Sequence, residues 1–170
     1  MEKFKVAVVG ATGMVGRKML QVLAERKFPV GELYPFASAK SAGSKIVWEG
    51  KEYTVLETNE ENIKKVGAQI VIMSAGGKAS GIYSPMFAAA GGIVIDNSAY
   101  WRMDDQVPLV VPEVNPEDAF KHPKGIIANP NCSTIQAMVA LAPLHKAFGI
   151  KRVIYTTFQA VSGAGVKGYA

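Results

Sequence analysis

The chain has 170 residues, 49% of them hydrophobic, with 19 Lys and Arg against 14 Asp and Glu, a formal net charge of +5 and one cysteine. That length supports one buried core plus a fragment of a second, and no apolar run approaches the roughly 20 residues needed to cross a bilayer, so a soluble, cytoplasmic protein is expected. A lone thiol without CxxC spacing frames neither a disulfide nor a metal site, and scattered basic residues without interleaved aromatics argue against nucleic acid and leave small anions as natural partners.

The chain opens on Met1-Glu2-Lys3-Phe4-Lys5 and runs straight into a β-rich stretch over 5–9, with no signal-peptide apolar region. Gly10, Gly13 and Gly16 follow, and then Val15, Met19, Leu20, Val22 and Leu23 recur at helical spacing, which predicts strand, glycine loop, helix. Further strands are expected over 33–37, 70–74 and 93–96, with a helix near 82–90 between the last two. Near-continuous apolar strands separated by helices predict an α/β fold: a Rossmann-type, doubly wound, mostly parallel sheet covered on both faces. Residues 45–47 and 53–56 flank the turn signal Glu49-Gly50 and predict a small hairpin decorating the sheet edge. Strand-like pieces over 109–111 and 126–128, with a short helix from Pro116 between them, extend the same layer. A helix over 133–146 then places Met138, Leu141 and Leu144 where they can share a buried face. The last element, over 151–160, reads as a long strand.

The glycine triplet follows the first strand and opens a helix inside a βαβ unit, which is the setting of a dinucleotide site. There Gly10 permits the turn, Gly13 lets the backbone approach a pyrophosphate, and the amides of Thr12, Met14 and Val15 can donate at the positive end of the helix. An NAD enzyme usually ends its second strand on Asp or Glu to hold the ribose 2′-hydroxyl. This chain instead offers Ser38, Lys40 and Ser41, which suit a 2′-phosphate and predict NADP; the alternative is an ordinary solvated loop. Ser74, Ala75 and Gly76, at the end of the third strand, are expected to line the ribose or pyrophosphate.

Cys132 sits between the turn Asn129-Pro130-Asn131 and a helix, on the sheet edge where open α/β folds bind ligands. A helix N-terminus favours a thiolate and supplies amides to an oxyanion, so Cys132 is a candidate nucleophile and not merely a packed residue. Asn131 can either donate to that oxygen or cap the helix; the pattern leaves both open.

The run Asn129-Pro130-Asn131-Cys132-Ser133-Thr134-Ile135-Gln136 resembles the active-site motif of aspartate-semialdehyde dehydrogenases. The glycine loop, Ser38-Ala39-Lys40-Ser41-Ala42-Gly43, Asp96-Asn97-Ser98-Ala99-Tyr100-Trp101-Arg102, Val110-Val111-Pro112-Glu113-Val114-Asn115 and Gln159-Ala160-Val161-Ser162-Gly163-Ala164-Gly165 are similar to the same family in the same order. The resemblance covers essentially the whole chain and matches the family's N-terminal half. It implies an NADP-dependent, phosphorylating aldehyde dehydrogenase that makes aspartate semialdehyde from aspartyl 4-phosphate, releasing phosphate, on the route to lysine (through diaminopimelate), methionine and threonine. It also implies roles: Cys132 carries the aspartyl thioester, Gln159 orients the reacting group, and Arg102 with Asn131 holds phosphate. Ser162, Gly163 and Gly165 would lie against the nicotinamide. The family further implies an NADP-binding domain over 1–131, the start of an α+β catalytic and dimerisation domain over 132–170, a homodimer for the full-length enzyme, and inactivity of this half alone. Alternatives are an N-acetylglutamyl-phosphate reductase, which typically has Gly where this chain has Asn131, a glyceraldehyde-phosphate dehydrogenase, and a non-catalytic nucleotide-sensing module.

Overall fold

A computed structural model of the chain describes residues 2–158. Six parallel strands form one sheet: β1 (Phe4–Val9), β2 (Val30–Ala37), β5 (Leu56–Glu57), β6 (Ile70–Met73), β7 (Ile93–Asp96) and β8 (Ile126–Ala128), in the order β5-β2-β1-β6-β7-β8. The chain builds outward from β1 to one side, then crosses back and builds outward to the other. That reversal makes the gap between β1 and β6, at the carboxyl ends of the strands, the crevice where such sheets take ligands. The doubly wound α/β fold expected from the sequence is the one observed.

β1 is apolar along its whole inner length because it is covered twice. Val6 and Val8 point to one face, where they meet Leu20 and Leu23 of α1 (Met14–Glu25). Ala7 and Val9 point to the other and join Ile63 and Val66 of α2 (Glu60–Val66) and Phe87 of α3 (Gly77–Ala89). Two-sided burial removes the alternation a half-exposed strand would show, which is why the sequence reads as a continuous run. Phe87 meets the ring of Phe36 edge-on at 5.3 Å, the pairing the aromatic quadrupoles favour.

Several expectations need correction. The hairpin β3 (Lys45–Trp48) and β4 (Lys51–Thr54) is present, but as a separate two-stranded sheet docked on α1. The Trp48 indole N–H donates to the Leu20 carbonyl at 2.7 Å, so the hairpin covers a helix and does not extend the main sheet's edge. Leu56, assigned to that hairpin, belongs instead to β5, which pairs with Phe36 and Ala37 of β2. Neither β5 nor α2 was foreseen: two residues are too few to show a period, and seven are barely two helical turns. α2 is set by its ends, with Asn59 capping through Asn62 N at 2.9 Å and Gly67 closing it in the left-handed region. The stretch 109–111 contributes only a bridge from Leu109 to Ala128, and Pro116–Phe120 is a 3₁₀ turn. α4 (Cys132–Phe148) is longer than expected and has no buried residue, so Met138, Leu141 and Leu144 form no core face among the described residues. Residues 151–158 form no strand, because a β-type sequence needs a neighbour to satisfy its ladder. Among the described residues no helix is long and apolar enough to cross a membrane.

Phe87 is 1% exposed and touches the layer that supports β1, β6 and β7. Replacing it by Ala is expected to cost about 3–5 kcal/mol through lost transfer energy and the cavity left behind. A urea titration should show the lower midpoint with an unchanged slope; a midpoint within error of the parent would contradict the core described here.

Candidate cofactor and nucleophile site

β1 ends at a junction where three backbones meet without side chains between them. Gly10, at φ +84°, donates to the Phe36 carbonyl at 2.8 Å, and Ala11 donates to the same oxygen at 3.0 Å. A Cβ on Gly10 would lie 2.3 Å from the Ser74 carbonyl oxygen, and one on Gly16 would lie 2.1 Å from the Gly10 carbonyl oxygen. Gly10 therefore permits the loop to press against β6, and Gly16 permits α1 to press against the loop. Gly13 is the helix N-cap and brings no side-chain acceptor. The amides of Met14, Val15 and Gly16 begin α1 without intrahelical carbonyls, at the positive end of the helix. Thr12 contributes its carbonyl to Arg17 Nε at 3.2 Å, which holds the loop over the first helical turn.

The turn after β2 stands beside this loop. Ser38 accepts from Ser41 N at 2.9 Å and from Ala42 N at 3.1 Å through its carbonyl, leaving Lys40 exposed at the tip with no ion pair among the described residues. Reading β2 alone misses one neighbour: Glu57 is the register partner of Ala37, so an acid does stand at this end of the sheet, on the adjacent strand. Across the crevice, Ser74 N donates to the Val9 carbonyl at 2.9 Å, and Gly76, at φ +83°, caps α3 with nothing within 4 Å of its Cβ position. Ala75 and Gly76 are exposed there.

β7 and β8 end at the same edge and carry the second half of the site. Asp96, the last residue of β7, is fully buried and accepts from Ser80 Oγ, from Ser84 Oγ at 2.9 Å and from Ser98 N at 2.6 Å. Arg102 is half-buried and donates from Nε to the Asn129 carbonyl at 2.9 Å and from Nη2 to the Asn97 carbonyl at 3.1 Å. Two of its five donors brace the loops and three remain. Asn131 caps α4: its Oδ1 accepts from Ser133 N at 3.0 Å and Thr134 N at 3.2 Å. The cap uses the carbonyl oxygen, which leaves the amide N–H groups able to donate, so its two sequence-level roles are compatible. Cys132 is the exposed first residue of α4. A cleft of about 350 Å³ beside it is lined by Asn131, Ser133, Thr134, Ala137, Tyr155 and Thr157.

The glycine loop, the turn after β2, residues 74–76 and the Arg102–Asn131–Cys132 group thus all lie at the carboxyl edge of one sheet. Gln159, Ser162, Gly163 and Gly165 lie outside the described residues. The carboxyls held below their usual range are elsewhere: Glu60 by Lys64, Asp104 by Lys124 and the Gln106 N–H, and Asp118 by Asn115 and Lys121. A larger hollow, about 730 Å³, is lined by Pro85, Gly92, His122, Lys124 and Gly125 among others and opens at the amino ends of β7 and β8, away from this edge. Sequence reasoning missed Asp96, Asn97 and Asn129. The available signal was Ser80 and Ser84 one helical turn apart, ahead of an acid that ends an otherwise apolar strand.

Residues 5–122 match the family model described as semialdehyde dehydrogenase, NAD binding domain. The chain belongs to this family. An aspartate-semialdehyde dehydrogenase from Aquifex aeolicus is 60% identical over 166 residues, which are 96% of this chain and 48% of that protein. The crystal structure of aspartate semialdehyde dehydrogenase II complexed with ASA from Vibrio cholerae superposes with a TM-score of 0.92 at 48% identity, covering 99% of this chain and 50% of the other. The structure of the Candida albicans enzyme with NADP matches at TM-score 0.71 and 29% identity, covering 88% and 48%. The chain spans about half the length of the relatives it matches. In this semialdehyde dehydrogenase domain, the residues matched by the family model include the glycine loop and Arg102 but stop short of Cys132.

The two kinds of glycine in the domain predict opposite outcomes. Gly16→Ala places a Cβ 2.1 Å from backbone, so α1 must move off the loop, and a loss of about 1–3 kcal/mol is expected despite the better helix propensity of Ala. For Gly81→Ala the nearest atoms belong to the Tyr100 side chain, at 2.6 Å, and that half-exposed side chain can rotate away. Its expected change lies between zero and a gain of about 1 kcal/mol. Paired thermal melts decide; equal losses in both variants would show that α1 does not depend on the close approach at Gly10.

Proposed function

We propose that this chain is the NADP-binding, nucleophile-bearing half of an aspartate-semialdehyde dehydrogenase. Residues 1–131 form the cofactor domain, and 132–170 begin the catalytic and dimerisation domain of a homodimer. The observation that carries this reading is the convergence of an exposed Cys132, at the N-terminus of a 17-residue helix, with a glycine loop at the same sheet edge. The relatives are aspartate-semialdehyde dehydrogenases, and this chain carries a thiol and a glycine loop suited to the cofactor and acyl-transfer parts of that chemistry.

The residues present fit the cofactor. The Gly10–Gly13 backbone and the first amides of α1 are brought together at the rim of the crevice because Gly10 and Gly16 put no Cβ between closely packed backbones, which leaves main-chain donors for a pyrophosphate. Thr12, Gly13, Met14 and Val15 would hold the pyrophosphate, Ser74, Ala75 and Gly76 the ribose, and Ser162, Gly163 and Gly165 the nicotinamide end. Ser38, Lys40 and Ser41 would hold a 2′-phosphate, with Lys40 supplying the charge. When bound, NADPH supplies hydride to the acyl carbon.

The chain's own residues take the acyl-transfer parts. The Cys132 sulfur attacks the acyl carbon of aspartyl 4-phosphate, the carbon–oxygen bond to phosphate breaks, and phosphate leaves toward Arg102 and Asn131. The resulting thioester accepts hydride where a carboxylate would not, and the thiohemiacetal then expels the sulfur to give aspartate semialdehyde. The α4 amides and the Asn131 side-chain N–H would meet the charge that develops on the acyl oxygen, and Gln159 would orient the acyl group.

A proton must be moved near the sulfur, and neither histidine suits. His145 lies thirteen residues along α4 from Cys132, roughly 20 Å at 1.5 Å per residue, and His122 lines the hollow away from the site. The 170-residue chain is therefore expected to bind cofactor without turnover in an NADP-coupled assay with aspartate semialdehyde and phosphate. Turnover abolished by Cys132→Ser would show that these residues already make a complete site.

Cofactor choice is tested by calorimetry. NADP is expected to bind more tightly than NAD, and Lys40→Glu to weaken NADP selectively by removing a charge-assisted contact and adding a like charge. Tighter binding of NAD would instead assign the ribose to Glu57. Alkylation tests the nucleophile: iodoacetamide should modify native Cys132 faster than a free thiol near neutral pH, and a rate at or below that of glutathione would remove its support.

A further inference from the structure

The buried carboxylate of Asp96 belongs to none of the steps above, yet it joins the two halves of the site. It accepts from Ser80 and Ser84, one turn apart on α3, and from the Ser98 amide in the following loop. No ion pair to Asp96 occurs among the described residues. A buried carboxylate without a cation is retained only where its donors are fixed, and here they come from both α3 and the loop. Gly76, at the cofactor crevice, caps α3, so one end of this arrangement is the cofactor edge.

The other end is the nucleophile. The Asp96 carbonyl accepts from Asn129 N at 2.7 Å. Asn97 donates its N–H to the Met73 carbonyl at 2.9 Å, and its Oδ1 accepts from Asn129 Nδ2 at 2.7 Å. Arg102 closes the ring by donating to the carbonyls of both Asn97 and Asn129. Asn129 is thus held through its N–H, its side-chain amide and its carbonyl, three residues before Cys132. Between them stand only Pro130, buried with its φ fixed by the ring, and Asn131, committed as a cap. Little rotational freedom is left between the carboxylate and the thiol.

We propose that Asp96 is a positioning residue for the Cys132 nucleophile, acting through Asn97 and Asn129 to fix the 129–132 turn against the cofactor edge. This rests on the reading of Cys132 as nucleophile and of the crevice as an NADP site. Because the α4 N-terminus travels with the thiol, loosening the turn leaves the intrinsic reactivity of Cys132 intact and alters only its placement relative to bound cofactor. Reacting groups must meet within about 3–3.5 Å, and displacement by about 1 Å is costly out of proportion to its size.

The test is the effect of bound NADP on the rate of Cys132 alkylation, measured across pH in the 170-residue chain, with NADP affinity from calorimetry and folding from circular dichroism. In the parent, saturating NADP is expected to change the alkylation rate about tenfold, since on the proposed reading the bound cofactor would meet the thiol at the shared sheet edge. In Asn129→Ala and Asn97→Ala that effect should fall toward none, while the cofactor-free pH profile and the NADP affinity stay as in the parent. A merely structural role would shift the melt and leave the NADP effect in the folded fraction unchanged, and that outcome overturns the proposal, as does a parent with no NADP effect. Asp96→Asn should behave like Asn129→Ala, and if it fails to fold the two asparagine variants decide. An unreactive Cys132 or absent NADP binding would instead remove the functional reading beneath the proposal.

Discussion

At the mouth of the crevice, the Gly10 backbone sits against the Ser74 carbonyl while the Gly16 position sits against the Gly10 carbonyl, and both contacts exist only because no Cβ intervenes. The arrangement of the edge follows from this. With the loop pressed on β6, the gap between β1 and β6 stays narrow, and the positive end of α1 is delivered to its rim. The Phe36 carbonyl ties Gly10 and Ala11 to β2, so the turn bearing Lys40 is held in the same frame. Hydrophobic burial supplies the stability of the sheet, but the absence of two methyl-sized groups decides what that sheet can hold.

Most of the fold was legible because its signals are long or chemically specific. β1, β6 and β7 read as apolar runs since both faces are covered, and the glycine loop announced its own geometry. What escaped was set by contacts between distant residues. β5 exists because Phe36 and Ala37 offer a free ladder, and α2 exists because Asn59 and Gly67 close both its ends. The hairpin's destination could not be read from Glu49-Gly50, since it is decided by one bond from Trp48 to α1. Residues 151–158 show the converse: their composition suits a strand, but a strand is a relation between two segments and composition describes one.

The site divides in the same way. Cys132, Arg102, Asn131 and the glycine loop stand out because their chemistry is unusual for their positions. Asp96, Asn97 and Asn129 are common residue types in turn-like sequence, and their importance comes largely from hydrogen bonds to residues distant in sequence, such as Ser84 to Asp96 across 12 residues and Asn129 to Asn97 across 32. The resemblance to a known family located the first group without explaining how the second holds it. Arg102 shows why both views are needed, since an arginine suited to phosphate also joins two backbone carbonyls.

The all-parallel strand order has a consequence for how the chain is made. β1 pairs with β2 through Val6 and Leu33, but its other edge waits for Val6 to meet Ile70. A ribosome that has released the first forty residues has therefore produced a strand apolar on both faces and paired on one side. At synthesis rates of about 5–20 residues per second, the open edge persists for seconds. Nearby in sequence, only the hairpin at Glu49-Gly50 can close early, and it covers α1 and not that edge. The nascent chain thus passes through an interval in which its most buried strand is its most adhesive surface, and a cell making it in quantity has reason to keep a chaperone at the exit tunnel.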